Sequence, residues 1–194
     1  MLVYRVFPHQ RSAAAGEPGH PDYLSKPQGK GRLDNPRHYD TWYFALTPEA
    51  AVGEVFGDLT LWADDMFEFP ALAGARRALG VFELPDDVSL LDLDDARALL
   101  DRGLRPTQVI ARNRAATQGW ALGIFNERDD LGGQRWAGVR WWSYHRPHWT
   151  VVGLWQVPGV PRLHQIGRVE GLDVDHPAIL DAARTLGKTI ARFR

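Results

Sequence analysis

The sequence contains no cysteine. That removes disulfides, thiolate metal sites and cysteine nucleophiles, and it fits a chain kept in the reducing cytoplasm. An excess of one charge sign is also missing. The formal net charge is -1 over 194 residues, so no general affinity for nucleic acid or acidic membranes is implied. No run approaches the roughly 20 apolar residues that a membrane-crossing helix needs. The opening MLVYRVFP is too short and too soon charged for a signal peptide. Internal repeats, low-complexity segments and a regular βαβ alternation are absent as well. The expectation is a single α+β domain over 1–194, with mixed and antiparallel sheets and flanking helices, large enough for one core.

Aromatic residues are plentiful. Most of the eight tryptophans are read as core. The chain is organised around 31–56, GRLDNPRHYDTWYFALTPEAAVGEVF. Within it TWYFAL (41–46) predicts a strand. Alternation places Trp42, Phe44 and Leu46 on one face, the better core candidate, and Thr41, Tyr43 and Ala45 on the other. Thr47 then caps a helix, Pro48 suits its first position, and Glu49 favours the positive end of its dipole. Pro48, Ala51, Val52, Val55 and Phe56 form the arc expected to be buried. Glu54 lies at the edge of that arc, between the columns of Ala50 and Ala51. Small neighbours leave room beside a carboxylate, and they are also simply good helix formers. The stretch reads as half of a site that handles a phosphorylated nucleotide.

Elsewhere, 2–7 predicts a strand with Arg5 on an apolar face, most simply an arginine with its stem packed and its head in water. Residues 8–38 predict a long polar loop. Its Gly29-Lys30-Gly31-Arg32 segment offers flexible backbone and positive charge that could cradle a phosphate, without the spacing of a P-loop. Residues 75–79 read as a helix end, and 80–84 and 88–93 as strands. Asp94 is expected to cap a helix through Leu100 that Gly103 ends. One helix, or two joined near Gly119, is expected over 106–126, with Arg112 and Arg114 solvated. Strands are expected at 136–144, 148–157 and 163–172, the second central. A C-terminal helix is expected over 176–193, with Lys188, Arg192 and Arg194 near its negative end. Asp64-Asp65 reads as an exposed acidic turn, and Asp92, Asp94 and Asp95 as turn and cap residues. His145 and His148 lack a third ligand nearby, so no metal is expected.

Four segments, taken in order, resemble the RES domain family, which is named for an Arg, a Glu and a Ser. They are VYRV with Arg5; GRLDNP with Arg32, followed by TWYFAL with Tyr43; TPEAAVGEV with Glu54; and ATQGWALGIF followed by AGVRWWSY with Ser143. Two departures stand out. After Gly-Arg the family usually has an aromatic residue and then Asn, where Leu33 and Asp34 stand here and Asn35 follows one place later. The long separation of Glu54 from Ser143 marks 58–93 as an insertion.

The resemblance implies a fold similar to ADP-ribosyltransferase toxins. It also implies a bacterial toxin of a toxin–antitoxin pair that consumes NAD by cleaving the nicotinamide–ribose bond. ADP-ribose would pass to water, to phosphate or, in some members, to a protein. The implied partner is an Xre-like helix-turn-helix antitoxin. Nicotinamide leaves as a neutral ring, so no general acid is needed, unlike in ordinary glycosidases. One glutamate, Glu54, would then suffice to hold a ribose hydroxyl and stabilise the oxocarbenium charge. Arg5 and Arg32 would grip the pyrophosphate. Tyr43 would stack on or line the nicotinamide pocket. Ser143 would hydrogen-bond the carboxamide or the ribose, not act as a nucleophile, since no base is paired with it. Each residue has a structural alternative: Arg32 ties down its loop, Glu54 is solvated, Tyr43 packs the sheet, Ser143 satisfies a strand end. A catalytically silent nucleotide- or partner-binding domain is the competing function.

Overall fold

The computed structural model describes residues 1–192. The class is α+β, with helices flanking a mixed sheet. Two compact units divide the chain: Met1–Ser25, Phe44–Leu84 and residues from 164 onward form the first, and Lys26–Tyr43 with Pro85–Leu163 form the second. Strand β2 (Asp40–Ala45) contributes residues 40–43 to the second unit and 44–45 to the first.

In the first unit β1 (Leu2–His9) pairs antiparallel with β2 at Tyr4↔Ala45 and with β4 (Arg76–Glu83) from Leu2↔Glu83 to His9↔Arg76. β4 pairs on its other side with β8 (Gln165–Gly171), with an irregularity at Val81/Phe82. β8 is an edge strand and largely exposed, and its Arg168 and Glu170 put charge on that edge, which discourages further pairing. Residues 75–79, read as a helix end, instead run into β4: Ala78, Leu79, Val81 and Phe82 are all buried, as both faces of an internal strand require. The stretch read as an insertion, 58–93, thus supplies the strand between β1 and β8, along with β3 (Leu61–Trp62), a 3-10 turn (Asp64–Phe67) and β5 (Leu90–Asp92).

Helix α1 (Pro48–Phe56) starts as the sequence indicates: the Thr47 hydroxyl accepts from the Ala50 amide at 3.3 Å and Pro48 takes the first turn. Its buried face is rotated from the expected arc. Gly53 is buried and Val55 is 36 % exposed, because α1 packs against both β1 and α5 (Pro177–Leu186). The small Ala50, Ala51 and Gly53 allow that close approach. Helix α5 ends well before the expected 193. Gly187 adopts φ 68°, ψ 35°, a left-handed cap whose amide closes on Ala183 and Arg184 carbonyls. The chain then reverses into β9 (Thr189–Ile190), parallel to β3. Lys188 donates to the Leu59 carbonyl at 2.7 Å and Arg192 pairs with Asp175, so neither serves the helix terminus. Phe193 and Arg194 lie outside the described residues.

In the second unit β5 runs parallel to β6 (Gly138–Trp142), which pairs antiparallel with β7 (Thr150–Gln156), and β7 neighbours β2. β7 is buried from Val151 to Trp155, a central strand as its apolar run indicates. Asp95, one residue later than expected, caps α2 (Ala96–Leu100) through the Arg97 and Ala98 amides. Residues 106–126 form two helices, α3 (Pro106–Val109) and α4 (Arg114–Phe125). The break falls at 110–113, where Asn113 caps α4 through the Ala116 amide, and Gly119 sits within α4. Trp42, Trp62, Trp141, Trp149 and Trp155 are buried, whereas Trp120, Trp136 and Trp142 are half-buried. Both faces of β2 are covered, since Thr41 and Ala45 are buried along with Trp42 and Phe44.

Candidate functional site

The loop 29–35 is built around a carboxylate. Asp34, only 5 % exposed, accepts from the Gly29 amide at 2.8 Å, the Gly31 amide at 2.7 Å and the Tyr43 hydroxyl at 2.6 Å. The Tyr43 oxygen in turn accepts from the Leu33 amide at 2.9 Å. Burial and then the Asp34 charge raise the ionisation of Tyr43 well above the ordinary tyrosine value, so the phenol is a neutral donor. Gly31 is obligatory at this spot: a Cβ there would strike the Tyr43 hydroxyl and the Asp34 carboxylate. The Gly29-Lys30-Gly31-Arg32 segment therefore does not offer its glycine amides to a phosphate. Those of Gly29 and Gly31 already cradle an internal carboxylate.

Helix α4 holds the same loop from its other side. Gln118 donates to the Gly29 carbonyl at 3.0 Å and the Gly31 carbonyl at 2.9 Å. Arg114 Nε donates to Lys30 at 3.1 Å, so this exposed residue is not merely solvated. Asn35 donates to the carbonyls of Leu33 and Gln118 and to the Tyr39 oxygen, and Tyr39 donates to the Leu33 carbonyl at 2.8 Å. The Leu33 side chain is fully buried against Gly153 of β7, where a Cβ would overlap it. Leu33 and Asp34, the two residues that depart from the family pattern, are thus the hydrophobic and polar anchors of the loop.

Arg32 directs Nη1 to the carbonyls of Val109 at 2.8 Å and Ala111 at 2.7 Å, across the C-terminal end of α3. That is a helix-end contact favourable for a cation, and it fixes where the guanidinium stands. Arg32 and Tyr43 are brought into one network through Leu33 and Asp34. Ser143, 2 % exposed, anchors the β6–β7 turn: its hydroxyl accepts from the His145 amide at 3.0 Å and its amide donates to Trp149 at 2.7 Å.

Arg5 and Glu54 belong to the first unit. Arg5 is half-buried on β1, with Nη1 donating to the Tyr23 carbonyl at 3.4 Å and its guanidinium 5.9 Å from the Phe7 ring centroid. Burial lowers its pKa to about 10, which leaves it charged at neutral pH. Glu54 is exposed on α1, between buried Gly53 and half-exposed Val55. Among the described residues no group of three or more His, Asp or Glu side chains is placed to hold a metal ion, and no helix is long and apolar enough to cross a membrane.

Asp34, Gln118, Asn35 and Tyr39 organise this loop and were not indicated by composition or periodicity. A turn-forming Asp three residues after a glycine was the one local signal available. A model of the RES domain matches residues 2–175, a span that includes Arg5, Arg32, Tyr43, Glu54 and Ser143. The chain belongs to the RES domain family. A similar fold is seen in a chain from the crystal structure of the M. tuberculosis MbcT-MbcA toxin-antitoxin complex, at TM-score 0.54 and 17% sequence identity, covering 89% of this chain and 84% of that chain. A search of curated proteins returns no match to this RES chain.

Proposed function

We propose that this RES protein is an NAD-consuming toxin that cleaves the nicotinamide–ribose bond. The observation that carries the reading is the family match across 2–175, which spans every residue of the assigned chemistry. In the reaction the bond from the ribose anomeric carbon to the pyridinium nitrogen breaks and its electron pair stays with nicotinamide. A bond from that carbon to the oxygen of water or phosphate forms, and the acceptor's proton goes to solvent. Glu54 holds a ribose hydroxyl and stabilises the cationic transition state. Arg5 and Arg32 bind the pyrophosphate, with the Arg32 fork pre-positioned by the Val109 and Ala111 carbonyls. Because the Gly29 and Gly31 amides are occupied by Asp34, phosphate recognition on this loop falls to side chains. Tyr43 lines the nicotinamide pocket, its ring orientation fixed by Asp34 and Leu33. Ser143 hydrogen-bonds the carboxamide or ribose. The partner is an antitoxin of the Xre-like helix-turn-helix type; the toxin-antitoxin complex that contains the structural neighbour supports an antitoxin partner, and the site of action is the cytoplasm.

The test is NAD incubated with the protein, with and without phosphate, and products identified by mass. Nicotinamide release is expected, with ADP-ribose or its phosphorylated form as co-product. A modified protein as co-product would instead make the chain an ADP-ribosyltransferase acting on protein. Glu54→Gln should abolish release at an unchanged melting temperature, since the side chain is exposed. Full turnover in that variant removes Glu54 from catalysis.

A second reading has its own support. With the loop amides turned onto Asp34 and Arg32 Nη1 held by two carbonyls, the domain would bind a nucleotide or partner without turnover. Calorimetry would then show ADP-ribose binding with no product from NAD. Arg32→Lys should weaken that binding, because a planar fork becomes a point charge.

A further inference from the structure

A second cationic site lies wholly within the first unit, where β1 ends and β4 begins. A cavity of about 440 Å³ there is lined by His9, Gln10, Arg11, Ser12, Arg76 and Arg77 together with small and apolar residues, and no Asp or Glu is among its lining residues. The contrast with the cavity of about 600 Å³ beside α2 is informative: its arginines Arg97, Arg102, Arg128 and Arg135 are matched by Asp92, Asp95, Asp101 and Glu127. The lining of the first cavity is not balanced in this way. Arg76 is committed to Glu68 at 2.6 Å and Asp64 at 3.0 Å, but Arg77 and Arg11 have no carboxylate or carbonyl partner among the described residues.

Arg77 is the telling group. It is half-buried, and its guanidinium lies 5.2 Å from the Phe69 ring centroid and 5.7 Å from that of Phe56. The rings stabilise the cation through its faces. Among the described residues no protein oxygen accepts from its in-plane N–H donors, and partial burial lowers the pKa of the group. A guanidinium carries five donors in a fixed fork, and a partly buried one that lines an open cavity is suited to the oxygens of an anion. Arg77 shares this cavity with Arg11 and Ser12, both exposed, so the donors of three side chains are open to an anion from solvent. His9 is held in place by its own bond, with Nδ1 donating to the Gly19 carbonyl at 3.0 Å.

We propose that this cavity binds a phosphate group, free or as the terminus of a small phosphomonoester, with Arg77 and Arg11 as its principal contacts and Ser12 as a further donor. The proposal does not depend on NAD turnover or on Arg5 and Arg32.

The experiment is calorimetric titration of the full chain with inorganic phosphate and, separately, glycerol 3-phosphate, at ionic strength held constant with chloride. Saturable single-site binding of at least one probe is expected. Arg77→Met keeps an unbranched apolar stem against Phe56 and Phe69 while deleting the charge. It should weaken binding by about tenfold or more, the loss of charged hydrogen bonds. Arg11→Ala, at an exposed position, should weaken it several-fold and cannot do so through misfolding of the core. Absence of saturable binding by both probes overturns the proposal. So does unchanged affinity in Arg11→Ala and Arg77→Met, which would place the anion elsewhere, and unchanged affinity in Arg11→Ala alone suffices if Arg77→Met does not fold. Loss of phosphate binding together with intact NAD cleavage would leave the catalytic reading untouched, and the reverse result would do the same for this one.

Discussion

Replacing Asp34 by alanine removes the acceptor for three donors: the amides of Gly29 and Gly31 and the Tyr43 hydroxyl. Hydrogen bonds to a charged group contribute about 1.5–3 kcal/mol each. The loss is smaller than the sum, because Gly29 is exposed and Gly31 and Tyr43 are half-buried, so water recovers part of their bonding. A net cost of about 2–4 kcal/mol follows, placing the substitution among the more damaging single changes. For a chain of this size that corresponds to a melting temperature lower by about 4–16 °C. Asp34→Asn should cost less, about 1–2 kcal/mol, since one oxygen still accepts while the new amide group meets N–H donors head-on. The assay is urea unfolding followed by circular dichroism, with the slope compared between variants so that a change in midpoint reads as stability. If Asp34→Ala unfolds within about 0.5 kcal/mol of the parent, the range of an ordinary surface substitution, the carboxylate is not the organiser of this loop and the reasoning fails.

Other outcomes follow from the same geometry. Gly31→Ala should cost about 1–3 kcal/mol, because its methyl group has nowhere to go without displacing Tyr43 or Asp34; thermal unfolding reads this directly. Thr47→Ala should cost about 1 kcal/mol through loss of the α1 cap, measured by the same method. Glu127 carries a pH signature. Burial pushes its carboxyl pKa up, but hydrogen bonds from Arg102 at 2.6 and 2.7 Å and from the Trp136 indole, with the charges of Arg102 and Arg135, leave it below the ordinary value. Its folded-state pKa is therefore depressed, so the stabilisation is full above the unfolded carboxylate value and is lost as pH falls through the folded one. Glu127→Gln should cost about 1–3 kcal/mol at pH 7, and the difference from the parent should shrink below about pH 4. A difference that stays constant down to pH 2 would contradict it.

Local chemistry was readable where the deciding contacts are close in sequence. Thr47 caps α1 three residues on, Pro48 begins it, and the apolar run of β7 marks a buried strand. Misreadings fall where distant segments decide. The 75–79 segment becomes strand because β1 and β8 flank it. Val55 is left half-exposed and Gly53 is buried because α1 packs against both β1 and α5. Gly119 lies inside α4, whereas the break between the two helices is set by the Asn113 cap. The loop around Arg32 was visible as glycine-rich and basic, but its anchors were not. Gln118 reaches Gly29 and Gly31 across 89 and 87 residues, and Arg32 reaches Val109 across 77. No periodicity reports a pairing over such separations. The family pattern located the residues, while the reason Leu33 and Asp34 suit this chain emerged only with their partners.

The reversal at Gly187 has a mechanical corollary. Thr189 and Ile190 zip onto Leu61 and Trp62, the Ala191 amide donates to Trp62 at 2.8 Å, and Lys188 grasps the Leu59 carbonyl at 2.7 Å. The clasped segment begins just past Gly57, the residue that closes α1. Tension or a bulky graft on residues 188–191 would be transmitted through this clasp to the helix that presents Glu54, so a deletion after Gly187 should loosen that helix although it removes no residue from it.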